Sequence, residues 1–288
     1  MTRRTSPLNR YLTERLGFGF VTLMALLTVA PIIAVVIYIL IMGAPAISWE
    51  FLTAAPRDGM RAGGILPAIV GTLYLTLGTA VFSVPLGIAA AIYLSEYSPD
   101  SKWTRLIRIA IINLAGSPSV VYGLFGLGLF VLFLRFGTSI LAASLTLSIM
   151  TLPVIISTAE EALRAVPQGF RTVSISLGGT RWQTIRRIVL PQALPGILTG
   201  VILGLERAAG ETAPILFTGA AFFLPRLPHS PLDATMALPY HLFVISTQVP
   251  EMPPQIQYGT ALVLLAFVLT MNLIATLIRS RARRNRQW

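Results

Sequence analysis

Residues 196–217 read GILTGVILGLERAAGETAPILF, an apolar, glycine-rich stretch that carries Glu206, Arg207 and Glu211 near its midpoint. As a helix, the stretch is long enough to cross the roughly 30 Å apolar core of a bilayer. Each charge at the centre of a lone spanning helix costs about 2.5 to 3.5 kcal/mol on insertion scales. Three charges in one predicted span therefore indicate a path for a polar substrate.

The composition of the whole chain is typical of a membrane protein. Hydrophobic residues make up 55% of the 288 residues, charged residues only 11%, and the mean hydropathy is +0.75. The apolar runs predict an all-α integral membrane protein with six transmembrane helices. The predicted spans lie near residues 17–42, 67–94, 106–134, 139–157, 196–217 and 258–277.

The lengths of the apolar and polar segments predict the domain organisation. The first apolar run, about 26 residues long, exceeds the roughly 7 to 15 residues of a signal-peptide core, so we expect it to be retained as an anchor. We predict an amino-terminal arm at 1–16 and a single membrane domain at 17–288. Two long loops interrupt that domain, a charged one at 158–194 and a proline-rich one at 219–257.

Basic residues predict the orientation, because short segments rich in Lys and Arg stay cytoplasmic. The arm, the carboxyl terminus and loop 158–194 are therefore predicted to be cytoplasmic, with loop 219–257 outside. The basic residues lie scattered at helix ends rather than on one folded face, which argues against nucleic-acid binding. Of the 22 basic residues, those on the predicted cytoplasmic side are Arg3, Arg4, Arg10, Arg15, Lys102, Arg105, Arg108, Arg164, Arg171, Arg181, Arg186, Arg187, Arg279, Arg281, Arg283, Arg284 and Arg286.

Loop 158–194 is predicted to form a hairpin of two short helices. Pro167 opens the first, Phe170, Val173 and Leu177 share one face at helical spacing, and Gly178 ends it where a positive φ is needed. Such an ordered, amphipathic hairpin suits a docking surface for another protein. The alternative is a helix lying on lipid headgroups.

The second helix of the hairpin is predicted from a capping box. The hydroxyl of Thr180 can accept from the amide of Gln183, and the Gln183 side chain can accept in return from the amide of Thr180. We expect this helix to stop before Pro191.

The hairpin sequence resembles the conserved cytoplasmic loop of ABC importer permeases, since Gly178 is followed after nine residues by Ile188-Val189-Leu190-Pro191. The resemblance implies a type I, MetI-like architecture in which this loop docks into an ATPase subunit. The family's Glu-Ala-Ala falls on Thr172-Val173-Ser174, so the acidic position is lost. The residues implied in coupling are Phe170, Val173, Ser174, Leu177, Gly178, Ile188, Leu190 and Pro191.

Two further segments are similar to PstA-type permease subunits of bacterial phosphate importers. They are residues 207–218, RAAGETAPILFT, and residues 113–123, NLAGSPSVVYG. With Glu-Glu-Ala-Leu at 160–163, the likeness covers residues 67–278. It implies inorganic phosphate as substrate and three partners: a homologous permease forming a heterodimer, a dimer of ATPase subunits that use ATP, and a periplasmic phosphate-binding protein. It implies no cofactor on this chain.

The chemistry of residues 196–217 suits a phosphate path. At 100° per residue, the glycines at 196, 200 and 204 share a helix face of roughly 80° with Arg207 and Glu211. Glycine at this spacing lets another helix approach closely. Arg207 offers a planar fork for two oxygens of a tetrahedral anion, and Glu211 would hold it and partly neutralise it. The alternative is an ion pair without substrate contact. Glu206 points about 100° away and is expected to meet the partner permease or a neighbouring helix.

The third predicted span offers further polar groups to the path. Pro118 lacks an amide hydrogen and frees the carbonyl of Leu114, while Ser117 and Ser119 carry hydroxyl groups. Asn113 adds an amide. The alternative is a kinked helix whose only purpose is close packing at Gly116, Gly123 and Gly126.

Loop 219–257 suits contact with a partner outside the membrane, because it combines prolines with aromatic residues. We expect Phe222, Phe223, Tyr240 and Phe243 to be exposed and residues 232–248 to lie flat as an interfacial helix. His229 and His241 lack the spacing and the cysteines of a metal site, so none is predicted.

Missing motifs exclude an enzyme. There is no Gly-x4-Gly-Lys-Ser/Thr phosphate loop and no nucleophile elbow, so ATP hydrolysis is assigned to a partner subunit. Alternative functions are a permease for phosphonate, sulfate or molybdate, a secondary transporter with Glu211 as proton carrier, and a signalling scaffold.

Overall fold

The computed structural model describes the backbone of residues 7–284 and the side chains of residues 14–281. Helices form most of this part of the chain, and its only sheet is a short antiparallel pair, Pro56–Arg57 with Ala62–Gly63. Arg3, Arg4 and Arg286, used to predict the orientation, lie outside the described residues. The helices are α1 (Pro7–Gly43), α2 (Trp49–Thr53), α3 (Leu66–Ile92), α4 (Lys102–Ala115), α5 (Ser119–Gly126), α6 (Ile140–Arg164), α7 (Gln168–Ser176), α8 (Arg181–Thr184), α9 (Leu190–Gly210), α10 (Ala213–Thr218), α11 (Leu238–Thr247) and α12 (Pro254–Arg284).

Five helical segments are long and apolar enough to cross a bilayer. A sixth span exists if α4 and the helix that follows it, Ser119–Phe133, are counted together. The six apolar spans predicted from the sequence are therefore found as five helices and one bent pair. The five are Glu14–Ala46, Leu66–Tyr97, Ile140–Arg164, Arg181–Gly210 and Pro254–Arg281.

The third predicted span, 106–134, is not one straight helix. α4 ends at Ala115 and α5 begins at Ser119, and the two axes differ by 101°. Pro118 has no amide hydrogen and its ring excludes the carbonyl four residues earlier, so the helical ladder stops there. The chain turns at this break instead of crossing in one line.

The fifth predicted span is displaced toward the amino terminus. The helical segment begins at Arg181, passes through a wide π turn at Ile185–Val189 and continues into α9. The second helix predicted in loop 158–194 was expected to stop before Pro191. That expectation is wrong, because Pro191 falls in the first turn of α9, where a missing amide hydrogen is tolerated. At the other end the helix stops at Gly210.

α6 is the central helix of the bundle. In its apolar window 61% of the residues are buried, against none in the windows of α1 and α12. It packs against α3 and α9 along its length and against α5 and α10 near its start. α1 and α12 pack against each other at the periphery.

Glycines on α9 allow a close approach to α6. A Cβ atom at Gly196 would lie 2.5 Å from Cβ of Ala162, and one at Gly200 would lie 2.6 Å from Cβ of Thr158. Gly204 continues the contact one turn further along. The predicted close approach is confirmed, and the approaching helix belongs to the same chain.

Segment 219–257 folds back onto the bundle. The helix expected at 232–248 is shorter, and six of the ten residues of α11 are buried, so it does not lie flat on the surface. The amide of Leu238 donates to Oγ1 of Thr72 on α3 at 2.8 Å, which fixes the start of α11. Tyr240 is buried rather than exposed as expected, whereas the expectation is confirmed for Phe222, Phe223 and Phe243.

Candidate functional site

Arg207 and Glu211 lie where α9 ends. Glu211 has extended backbone angles (φ −76°, ψ 136°) and stands outside the helix, so the predicted shared face ends at Arg207. In a continuous helix the ring of Pro214 would meet the carbonyl of Gly210, which explains the break. The two side chains still pair, because Nε of Arg207 donates to Oε1 of Glu211 at 3.3 Å.

This ion pair is only partly shielded. The Arg207 side chain is 36% exposed and that of Glu211 is 17% exposed. Within the described residues, only Nε of Arg207 has a hydrogen-bonding partner. The two terminal nitrogens therefore remain available to bind an anion.

Glu206 occupies a different side of α9. Its Oε1 atom is buried and has no hydrogen-bonding partner within the described residues. This part of the chain therefore supplies no donor to that oxygen.

The break between α4 and α5 is held by bonds within the chain. The carbonyl of Leu114, freed by Pro118 as predicted, accepts from the hydroxyl of Tyr122 at 2.6 Å and from the amide of Ser117 at 3.0 Å. The Ser117 hydroxyl donates to the carbonyl of Asn113 at 3.4 Å. Asn113 is exposed and Ser119 half-buried.

Tyr122 connects this break to the end of α9. Its hydroxyl lies near the Ser117 side chain and within electrostatic range of Arg207. Ser117 and Arg207 therefore both lie near Tyr122, and their role in a path stays a prediction. Sequence reasoning missed Tyr122, although a single phenol on an apolar helix was a visible signal.

The three glycines of the bent pair differ in role. A Cβ atom at Gly123 would lie 2.8 Å from the Phe217 ring, and one at Gly126 would lie 2.1 Å from Oγ1 of Thr146. Their close packing is confirmed. Gly116 makes no such approach, because the atom nearest to a Cβ placed there would be the carbonyl oxygen of Asn113 on the preceding turn, at 3.6 Å.

The hairpin forms with the first helix, the turn and the start of the second helix as predicted. We use this name for α7, α8 and the turn between them. Pro167 precedes α7, and Gly178 follows it with a φ of +84°, a conformation that favours glycine. The capping box of α8 is present: the amide of Gln183 donates to Thr180 Oγ1 at 3.2 Å, and the amide of Thr180 donates to Gln183 Oε1 at 2.9 Å.

The predicted coupling residues divide into three groups. Val173 and Leu177 are strongly exposed, at 60% and 83%, and with Phe170 and Ile188 they line a largely apolar groove of about 590 Å³. Ser174 ties α7 to α8 through a hydroxyl contact with Thr184 at 2.8 Å. The remaining members stand apart from the groove lining: Gly178 in the turn, and Leu190 and Pro191, half-buried at the start of α9.

Phe170 also faces inward. It packs against a buried apolar cluster contributed by the ends of α3 and α6 and the start of α9, which includes Ala91, Leu163 and Val189. The hairpin is therefore seated on the bundle on one side and presents exposed apolar residues on the other.

Glu96, at the end of the helical segment that continues α3, is a residue that the sequence analysis missed. It accepts from NH2 of Arg171 at 2.6 Å and from Nε of Arg171 at 3.1 Å. The two side chains are only 8% and 12% exposed, respectively. An acidic residue at the end of an apolar span was the available signal.

A second cluster of charges joins α4 to α6. Glu160 accepts from Nε of Arg108 and from NH2 of Arg164, both at 2.9 Å. Arg108 also donates to the carbonyl of Leu94 at 3.0 Å. Arginines that predicted the orientation of the chain therefore also fasten helices to one another.

The histidines do not form a metal site in the described part of the chain, which has no group of three candidate ligands. His241 on α11 is buried, and desolvation lowers its pKa to about 4. His229 is exposed, and its backbone amide donates to Asp233 Oδ2 at 2.9 Å.

Residues 83–284 match the family described as binding-protein-dependent transport system inner membrane component. The chain belongs to this family. It is the membrane permease subunit of an ABC importer. Membership argues against the secondary-transporter alternative, and the MetI-like fold predicted from the hairpin is confirmed.

Relatives include permeases named for phosphate transport, which confirms the resemblance to PstA-type subunits. The permease is 34% identical to the probable ABC transporter permease protein YqgI of Bacillus subtilis over 282 residues, 93% of this chain and 95% of that protein. It is 37% identical to the phosphate transport system permease protein PstA 1 of Mycobacterium tuberculosis, over 78% of this chain and 73% of that protein. For the phosphate transport system permease protein PstA of Xylella fastidiosa the identity is 34%, over 80% of each chain.

Two solved structures show the same fold at low sequence identity. The MetNI methionine ABC transporter in an inward-facing conformation matches with a TM-score of 0.62 and 17% identity, over 76% of the permease and 95% of its own chain. A bacterial ABC transporter involved in the import of alginate matches with a TM-score of 0.62 and 15% identity, over 94% and 96% of the two chains.

Proposed function

We propose that the permease is the transmembrane subunit of an ATP-driven importer of inorganic phosphate and forms half of its translocation path. The observation that carries the proposal is the Arg207 guanidinium, which lies at a helix break with its terminal nitrogens unpaired within the described residues. Relatives named as phosphate transport permeases support the choice of substrate.

The chemistry of the site favours weak, reversible anion binding. The terminal nitrogens of Arg207 match two oxygens of a tetrahedral anion, and the guanidinium stays charged at any physiological pH. Glu211 withdraws one donor and part of the charge, so a bound anion can leave again, as conduction requires. The hydroxyl of Ser119 and the amide of Asn113 would supply further donors along the path, and Ser117 would do so once its hydroxyl turns away from the carbonyl of Asn113.

The hairpin is assigned to ATPase coupling. Leu177 and Val173 are too exposed to stabilise the permease alone, and large apolar side chains in a groove suit a protein partner. An ATPase dimer docked here would supply the ATP hydrolysis for which this chain has no phosphate loop. The chain itself needs no cofactor for this role.

The distribution of arginines supports a cytoplasmic hairpin and an outer segment 219–257 in the bacterial inner membrane. That segment would meet the periplasmic phosphate-binding protein through Phe222 and Phe223. Because the chain has no cysteine, single cysteines at Ser176 and Leu227 can be labelled by an impermeant maleimide in intact spheroplasts. Labelling at 227 but not at 176 is expected, and the reverse pattern would overturn the orientation.

Glu206 is assigned to the interface with the homologous permease of the heterodimer. A buried carboxylate oxygen without a donor is unfavourable in an apolar surrounding. A donor from a second subunit would relieve that cost.

The function is tested by uptake of labelled phosphate into proteoliposomes that contain the permease, its co-purified subunits and the binding protein. We expect uptake that requires ATP and resists excess sulfate, molybdate or phosphonate. Uptake of one of these competitors in place of phosphate would overturn the substrate, and uptake without ATP would overturn the coupling.

A further inference from the structure

We infer that the Glu96–Arg171 ion pair is the positioning link through which ATPase-driven movement of the hairpin enters α3. The inference rests on the proposed coupling role of the hairpin. It assigns to two side chains a function beyond holding the fold.

The contacts of Arg171 make it a rigid attachment. Two of its nitrogens hold both carboxylate oxygens of Glu96, NH2 also donates to the carbonyl of Leu163 at 2.9 Å, and NH1 donates to the carbonyl of Val166 at 2.7 Å. A planar guanidinium with all three nitrogens engaged has little rotational freedom. The pair is also shielded from water and salt, unlike an exposed ion pair.

A second arginine of the hairpin, Arg181, also contacts Glu96. Arg181 donates to the backbone carbonyl of Glu96, and its guanidinium lies 5.0 Å from the centre of the Tyr97 ring. α7 is thus attached to Glu96, and α8 is attached to Glu96 and Tyr97. The hairpin and this end of α3 are expected to move together.

α3 leads from the hairpin to segment 219–257. It packs closely along α6, where the hydroxyl of Ser148 donates to the carbonyl of Thr79 at 3.1 Å. At its far end Thr72 accepts from the amide of Leu238 and so holds the start of α11. A shift at Glu96 therefore has a continuous route of bonded and packed groups to the opposite end of the molecule.

The first test measures whether the link is rigid. Spin labels are placed on cysteines introduced at Ser176 on the hairpin and at Tyr93 at the end of α3, both exposed positions in a chain without cysteine. In the complex with the ATPase subunits, the distance between the labels should be the same without nucleotide and with ATP. A distance that changes with ATP would overturn the inference.

The second test separates coupling from folding. In Glu96→Gln we expect the assembled complex to hydrolyse ATP within about twofold of the wild-type rate, while substrate transported per ATP falls at least about tenfold, since one partner of a shielded pair is lost. Glu96→Asp, which keeps the charge, should restore at least half of that ratio. An unchanged ratio in Glu96→Gln would overturn the link.

A matched control is the exposed pair formed by Glu50 and Arg57. Glu50→Gln should leave transport per ATP unchanged; an equal loss in this control would also overturn the inference. If the complex with Glu96→Gln fails to assemble, the inference is tested by the transport-per-ATP ratio of Glu96→Asp and by the distance between the spin labels. The two tests do not depend on phosphate being the substrate. The label distance is measured without transport, and the amount transported per ATP can be measured with whichever anion the complex carries.

Discussion

At the scale of the residue, two arginines differ in how many of their donors the chain itself engages. Arg171 has all three guanidinium nitrogens engaged by Glu96 and two carbonyls, whereas Arg207 engages only Nε within the described residues. Four of the five N–H donors of Arg171 are thus used within the described residues, against one of the five donors of Arg207. Arg207, and not Arg171, is therefore the arginine suited to bind a passing anion.

Replacing Arg207 tests this assignment. Arg207→Ala should lower phosphate uptake by about 10- to 150-fold, because a hydrogen bond to a charged group contributes about 1.5 to 3 kcal/mol. Arg207→Lys keeps the charge without the fork and should retain an intermediate rate. Uptake is measured in proteoliposomes after co-purification has shown an intact complex. Normal uptake by assembled Arg207→Ala would remove Arg207 from the path.

His241 gives the permease a pH-dependent stability. Its pKa in the folded protein, about 4, is below the usual 6.5 because burial disfavours the charged form. Below pH 6.5 the unfolded state therefore binds a proton that the folded state does not, so the free energy of unfolding decreases as the pH falls from 6.5 to 4. At 1.36 kcal/mol for each pKa unit, the full loss is about 3 kcal/mol.

Thermal unfolding of the purified permease between pH 7 and pH 4 measures this loss. His241→Leu should flatten the decrease in melting temperature, whereas His229→Leu should not change it. A decrease of the same size in His241→Leu would show that other groups cause it.

At the scale of the element, some prolines break a helix and others do not. The sequence alone does not show which prolines are at a break. Pro153 lies inside α6, and Pro195 lies inside α9, without ending either helix. Pro118 and Pro214 coincide with breaks, each close to a glycine. The sequence predicted the composition of the spans but not these ends, because neighbouring helices must supply the contacts that make a break stable.

The packing of α9 on α6 predicts a large effect of side-chain size. Gly200→Leu should destabilise the permease by about 1 to 3 kcal/mol or more, since its Cβ atom alone would clash with Thr158. Gly17→Leu on α1 is the control, because nothing lies within 4 Å of a Cβ atom there. Melting temperatures in detergent provide the comparison, and equal values for the two variants would contradict the packing.

At the scale of the whole molecule, the sequence predicted the spans, the hairpin and the glycine contact better than the long-range pairs. The hairpin depends on local signals at Gly178 and in the capping box at Thr180, so it was predictable. The Glu96–Arg171 pair joins residues that are 75 positions apart, and no local pattern connects them. The burial of α11 likewise depends on α3, which a window of sequence does not include.

The coupling role proposed for the hairpin belongs to the assembled transporter. Leu177→Asp should weaken ATPase association and lower uptake about tenfold or more, because it places a charge in an apolar contact. Ser176→Asp, at the neighbouring exposed position, is the control and should have little effect. Association is measured by co-purification and coupling by uptake per ATP hydrolysed. Unchanged association and coupling in Leu177→Asp would exclude the hairpin as the docking site.

The peripheral position of α1 has a consequence for the evolution and engineering of the permease. No residue of its apolar window is buried, and it packs mainly on α12 rather than on the central helix α6. Changes to α1 are therefore expected to be transmitted only weakly to the break that holds Arg207. We therefore expect transport to tolerate sequence changes in α1, or a protein fused at its amino end, better than changes in the central helices.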